Sequence, residues 1–92
     1  MIFINILKDY TVVLTKSAQK DLQKLPIAIA ITIQKKLSQL TEETHSLNIL
    51  KLVGYLIPTY RLRIGDYRAI FEVYEQEIVV LVIGIKHRKD AY

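Results

Sequence analysis

The stretch Tyr60–Tyr74 (YRLRIGDYRAIFEVY) constrains this chain most, because it reads as two β-runs joined by Gly65-Asp66. A Gly-first pair suits a type II′ turn, whose backbone twist matches that of the strands it connects. With a two-residue turn, Ile64 faces Tyr67, Arg63 faces Arg68, Leu62 faces Ala69, Arg61 faces Ile70 and Tyr60 faces Phe71. Side chains alternate between the faces of a strand, so Tyr60, Leu62, Ile64, Tyr67, Ala69 and Phe71 form one apolar face and belong to the core. Arg61, Arg63 and Arg68 share the other face, together with Tyr74. Like charges directly opposite one another cost about 0.2–1 kcal/mol, so this trio asks for an anion or an acidic neighbour.

The rest of the chain supplies partners for that hairpin. Ile78–Ile85 (IVVLVIGI) is continuously apolar and reads as an inner strand shielded on both faces, with Glu75-Gln76-Glu77 as the turn before it. A three-residue turn sets Tyr74 opposite Ile78. It places Gly84 opposite Arg68, with Lys86 and Arg88 on the same face, and leaves room for a ligand over the glycine. A two-residue turn places His87 there instead. The first register is the preferred one.

Upstream, Tyr10–Thr15 (YTVVLT) is β-branched and reads as a short strand. Thr15 or Ser17 then caps a helix carrying Ala18, Leu22 and Leu25 at helical spacing. Ile27–Ile33 alternates like a strand, yet Ile29, Ile33, Leu37 and Leu40 continue a helical stripe, which predicts a second helix from Pro26 to about Thr41. Its isoleucines cover more than one side, so part of that surface is expected to await a partner. Glu42–Pro58 reads as a packed loop containing His45, an exposed residue. The expected fold is α+β in the order β-α-α-β-β-β, a helical hairpin on one antiparallel-rich sheet of three or four strands.

At 92 residues the chain is one domain, with 51% apolar and 24% charged residues, a globular balance. The absence of cysteine excludes disulfides and thiol nucleophiles, and His45 and His87 lack metal-ligand spacing, so neither metal nor cofactor is expected. No apolar run approaches a membrane span, and MIFINILKDY lacks the features of a secretory signal, so a cytoplasmic, membrane-free protein is expected. The net charge is +4, and all four arginines fall in the last third: Arg61, Arg63, Arg68 and Arg88. Forked guanidinium groups suit phosphate recognition.

The segments YTVVLTKSAQKDLQKL (Tyr10–Leu25), YRLRIGDYRAIFEV (Tyr60–Val73) and VLVIGIKHRKDAY (Val80–Tyr92) resemble the RelE/ParE superfamily of toxin–antitoxin toxins. Residues 1–9 look like an extension before the usual start of a single RelE-like domain over 1–92. The RelE branch implies a ribosome-dependent endoribonuclease that cuts mRNA in the ribosomal A site, inhibits translation and is held by a small antitoxin in a hetero-oligomer. By the same resemblance, the catalytic set falls on Arg61, Arg63, Arg68 and Arg88, with Tyr92 orienting substrate. Lys86 joins the four arginines in holding RNA phosphate. The ParE branch implies a DNA gyrase inhibitor instead, and a third possibility is a non-catalytic scaffold that only binds antitoxin.

Metal-free RNA cleavage needs the 2′-OH deprotonated, charge on the phosphorane stabilised and the 5′-oxygen protonated. Arginines meet the second need and fail the first, since guanidinium does not lose its proton in proteins. Relatives often carry lysine where this chain has Arg61 and Arg63. His87 is therefore the leading candidate for the general base, with Tyr92 second.

Overall fold

A computed structural model describes residues 7–42 and 46–90. The elements are β1 (Thr11–Leu14), α1 (Lys16–Gln23), α2 (Ile27–Ser38) ending in a 3-10 turn at Gln39–Thr41, β2 (Asn48–Leu52), β3 (Thr59–Ile64), β4 (Tyr67–Tyr74) and β5 (Val79–His87). They build one five-stranded sheet in the order β1-β5-β4-β3-β2. Only the β1–β5 pair is parallel; the other three are antiparallel. The α+β expectation holds, with one strand more than expected. The extra strand is β2, inside the segment read as a loop. It pairs along β3 from Asn48↔Arg63 to Leu52↔Thr59.

Both helices cover one face. Ala18 and Leu22 of α1 and Ile33, Leu37 and Leu40 of the second helical segment pack on Leu62, Ala69, Phe71, Val73, Val80, Val82 and Ile85. Leu7 joins this core, so the start of the described chain is packed against the domain. Thr15 is the cap of α1: its Oγ1 accepts the Ala18 N–H at 3.1 Å, satisfying one of the free donors of the first turn. Pro26 sits just ahead of α2 in an extended conformation, which ends α1 and starts the next helix without costing a hydrogen bond. The isoleucine-rich segment is helical because its stripe Ile29, Ile33 and Leu37 meets the sheet; Ile27 and Ile31 stay 77% and 56% exposed.

The hairpin register is the expected one, including Arg63↔Arg68 and Tyr60↔Phe71. Gly65 has φ +59° while Asp66 does not enter the left-handed region, as a type II′ turn requires. Tyr60 and Tyr67 pack on the core, and Tyr60 stacks on Phe71 at 5.5 Å between ring centroids.

The register of β5 differs from the preferred one. The turn takes four residues, Glu75–Ile78, so Tyr74 pairs with Val79, and a β-bulge at Ile83 shifts the ladder by one more position. Arg68 therefore faces Lys86, while Gly84 faces Ile70. The two single-residue shifts add up to two, so Gly84, Lys86 and Arg88 remain on the face of Arg68. The bulge lies where β1 gives way to α1. There the Thr15 N–H donates to the Val82 carbonyl at 3.0 Å and the Thr15 hydroxyl reaches the Ile83 carbonyl at 3.5 Å.

Candidate functional site

The sheet face away from the helices carries the charge. Following the register across β3, β4 and β5, Arg63, Arg68 and Lys86 stand side by side in one row. The next row runs Arg61, Ile70, Gly84. Three cations in consecutive register is an arrangement that a neutral sheet face would avoid.

Arg68 is the centre of the row and is 93% buried, being 7% exposed. Its Nη1 donates to the carbonyls of Gly65 at 3.3 Å and Tyr67 at 3.1 Å, which turns the guanidinium toward the hairpin tip. Its Nε–H is buried and meets no acceptor among the described residues. Leaving such a donor unmade costs about 1–3 kcal/mol, and more for a charged group, so Arg68 is held in the sheet at a cost that a purely structural residue would not carry.

Arg88 converges on the same turn. Its backbone N–H donates to the Asp66 carbonyl at 2.7 Å, and its Nε lies 3.8 Å from Asp66 Oδ1. The type II′ turn between β3 and β4 thus orients two arginines, Arg68 on β4 and Arg88 just past the end of β5. At the other end of the row, Lys86 Nζ lies 3.6 Å from Asp21 Oδ2 on α1. Neither aspartate was singled out for the site from sequence. Asp66 was visible as a turn residue, but nothing in the chain marks Asp21 as a neighbour of β5.

Two residues expected at the site fall elsewhere or outside view. His87 pairs with Tyr67 on the helix-covered side, its ring edge-on to the tyrosine at 5.1 Å. Its Nδ1 accepts the Lys89 N–H at 3.2 Å. Tyr92, like His45, lies outside the described residues. Tyr74 keeps to the arginine face, where its hydroxyl donates to Glu72 Oε1 at 2.8 Å. That hydrogen bond, with burial and the nearby carboxylates, raises the phenol above its ordinary value, so Tyr74 is a proton donor and not a base near neutral pH. Among the described residues no three His, Asp or Glu side chains gather as a metal site, and no helix is long and apolar enough to cross a membrane.

Residues 12–92 match the family model described as ParE toxin of type II toxin–antitoxin system, parDE. This chain belongs to the RelE/ParE superfamily of type II toxins. The toxin is 33% identical over 85 residues to Toxin RelG of Mycobacterium tuberculosis, covering 90% of this chain and 95% of that one. Its fold matches the archaeal RelE–RelB complex from Pyrococcus horikoshii with TM-score 0.75 and 31% identity, over 90% of this chain and 99% of that chain. The toxin–antitoxin complex RelBE2 from Mycobacterium tuberculosis matches with TM-score 0.74 and 29% identity, over 89% and 94% of the two chains. The toxin accordingly has the RelE-like fold, and its β5 and the tail beyond it lie within the family match.

Proposed function

We propose that the toxin is a metal-independent endoribonuclease that cuts mRNA in the ribosomal A site and so inhibits translation. The row Arg63–Arg68–Lys86, with Arg88 tied to the same hairpin tip, carries this reading. In cleavage the 2′-oxygen attacks the adjacent phosphorus and the 5′-oxygen leaves. Negative charge grows on the non-bridging oxygens, where preorganised guanidinium donors act most strongly. Arg68, at the centre of the row, is the principal oxyanion partner. Arg61, Arg63, Lys86 and Arg88 hold the flanking phosphates, and Tyr92 orients the substrate. The ribosome aligns the 2′-OH, which spares a chain with arginines at Arg61 and Arg63 the need for a strong base.

Induced expression followed by mapping of mRNA ends in ribosome-bound transcripts tests the reading: cuts clustered at A-site codons support it, and intact mRNA rejects it. A gyrase inhibitor is the second reading, favoured by the ParE description of the matching family model. It calls for trapped gyrase cleavage complexes and intact mRNA. A scaffold that only binds antitoxin would leave growth unaffected.

With His87 turned to the helix side, His87→Ala should leave single-turnover cleavage on ribosomes within about threefold of the parent, far from the 10²–10⁴-fold contribution of a general base. A loss of that larger size would restore His87 to the base role.

The toxin is proposed to work in the cytoplasm as a hetero-oligomer with a cognate antitoxin. Ile27 and Ile31 are exposed one turn apart on α2, the helix whose Ala28, Ile29, Thr32 and Ile33 line an apolar groove of about 360 Å³ against the hairpin tip. Glutamate at both positions should weaken complex formation at least tenfold, with the toxin fold unchanged by circular dichroism, since neither side chain is in the core. Unaltered affinity would place the antitoxin elsewhere.

A further inference from the structure

We propose that Asp21 is the internal counter-ion of the RNA-binding face: it holds the Lys86 ammonium in the free toxin, and a phosphate of bound RNA takes its place. This rests on the RNA reading above and adds a positioning residue to that site.

The cause lies in how the sheet ends. β1 pairs with β5 only as far as Val82, so the edge of β5 beyond it needs another cover, and α1 provides it. Asp21 Oδ2 accepts the Ile85 N–H at 2.9 Å, standing in for the missing strand. The same oxygen lies 3.6 Å from Lys86 Nζ. Gly84 lies beside this pair. A Cβ there would sit 3.6 Å from Lys86 Cε and 3.7 Å from Asp21 Oδ2, so the lysine stem lies across a position with no side chain of its own.

The two partners differ in freedom. The Asp21 side chain is 17% exposed and bound to backbone, whereas that of Lys86 is 48% exposed. The carboxylate is fixed and the ammonium can swing. An ion pair this long and this open is weak, and an ammonium has three donors on a flexible stem, so exchange for a phosphate is easy. Lys86 stands next to Arg68 in the row, where the phosphate would be held. In the empty toxin Asp21 offsets the third of three adjacent like charges. When RNA binds, the Asp21–Lys86 pair must open, and that opening lowers affinity.

The test is binding of a short 2′-O-methyl oligoribonucleotide, which cannot be cleaved, to the full chain at low salt. Asp21→Asn keeps an oxygen for the Ile85 N–H and removes the charge. It should bind about 1.5- to 5-fold more tightly than the parent, the strength of an exposed ion pair that no longer has to break. In a Lys86→Ala background the same substitution should add nothing. A gain of equal size without Lys86, or no gain from Asp21→Asn alone, overturns the proposal. Should Asp21→Asn fail to fold, Lys86→Gln leaves the Asp21–Ile85 bond in place. It should bind more weakly and reduce the slope of log affinity on log salt by up to about 0.7, and an unchanged slope overturns the proposal. Folded parent toxin that binds no RNA at all removes the RNA reading itself, and the counter-ion role with it.

Discussion

Arg68→Ala should slow mRNA cleavage by about 10²–10³-fold, or about 2.7–4 kcal/mol, the scale of losing one donor to a developing oxyanion. The size follows from the burial of Arg68 at the centre of the cationic row. Arg68→Lys separates charge from geometry. Lysine keeps the positive charge but cannot satisfy the Gly65 and Tyr67 carbonyls while offering a planar fork, so recovery should be partial. Growth arrest and mapping of mRNA ends check both. A folded, soluble Arg68→Ala toxin that still cuts mRNA at the parent rate would take Arg68 out of the reaction. Arg88→Ala should also remove most toxicity, through loss of a cation that the Asp66 carboxylate holds at the same turn, while the backbone bond to the Asp66 carbonyl stays.

Phe71→Ala should destabilise the fold by about 3–5 kcal/mol, the cost of emptying a large aromatic site in a packed core. Phe71 is fully buried, stacks on Tyr60 and faces Val82 across β4 and β5. A domain of this size is typically stable by about 5–15 kcal/mol, so one substitution takes a large share of the total. Each kcal/mol lowers the midpoint of thermal unfolding by about 4–8 °C in such a domain. Arg63→Ala is the matched control, three residues along the neighbouring strand from Tyr60, the partner of Phe71. It is exposed, off the core face and beside another arginine, so its effect on stability should stay within about 0.5 kcal/mol. Urea unfolding of the two variants decides it: comparable midpoints would mean that the core does not depend on this ring.

The hairpin and its two faces were legible because alternation is local. Gly65-Asp66 sets the pairing of β3 with β4, and period-two alternation then sorts every residue from Tyr60 to Phe71 onto a face with no knowledge of the rest of the fold. The first helix was legible for the same reason, through Thr15 as a cap and the spacing of Ala18 and Leu22. β2 was not. Leu47, Ile49, Leu50, Leu52 and Val53 show no clean alternation, and Asn48–Leu52 becomes a strand because the free edge of β3 is there to pair with it.

The placement of β5 shows the boundary between local and global information. Ile78 read as the first residue of the strand, yet it closes the preceding turn at φ +57°. A β-branched residue rarely enters that region, so its sequence carries no warning of the longer turn. The bulge at Ile83 has no local signal either. It sits where the Thr15 N–H and hydroxyl, 68 residues earlier in the chain, turn toward the β5 carbonyls.

The sequence by itself determined the α+β class, the hairpin register, the core face and the gathering of Arg61, Arg63 and Arg68 on the opposite face, all properties of short-range periodicity and turn chemistry. Tertiary structure alone decided that Arg68 faces Lys86, that His87 turns to the helix side, and that Asp21 meets Lys86. Each of these depends on where one strand ends and a helix takes over its edge. That boundary is a contact between distant segments, set by packing and hydrogen-bond satisfaction of the whole sheet, and no window of neighbouring residues contains it.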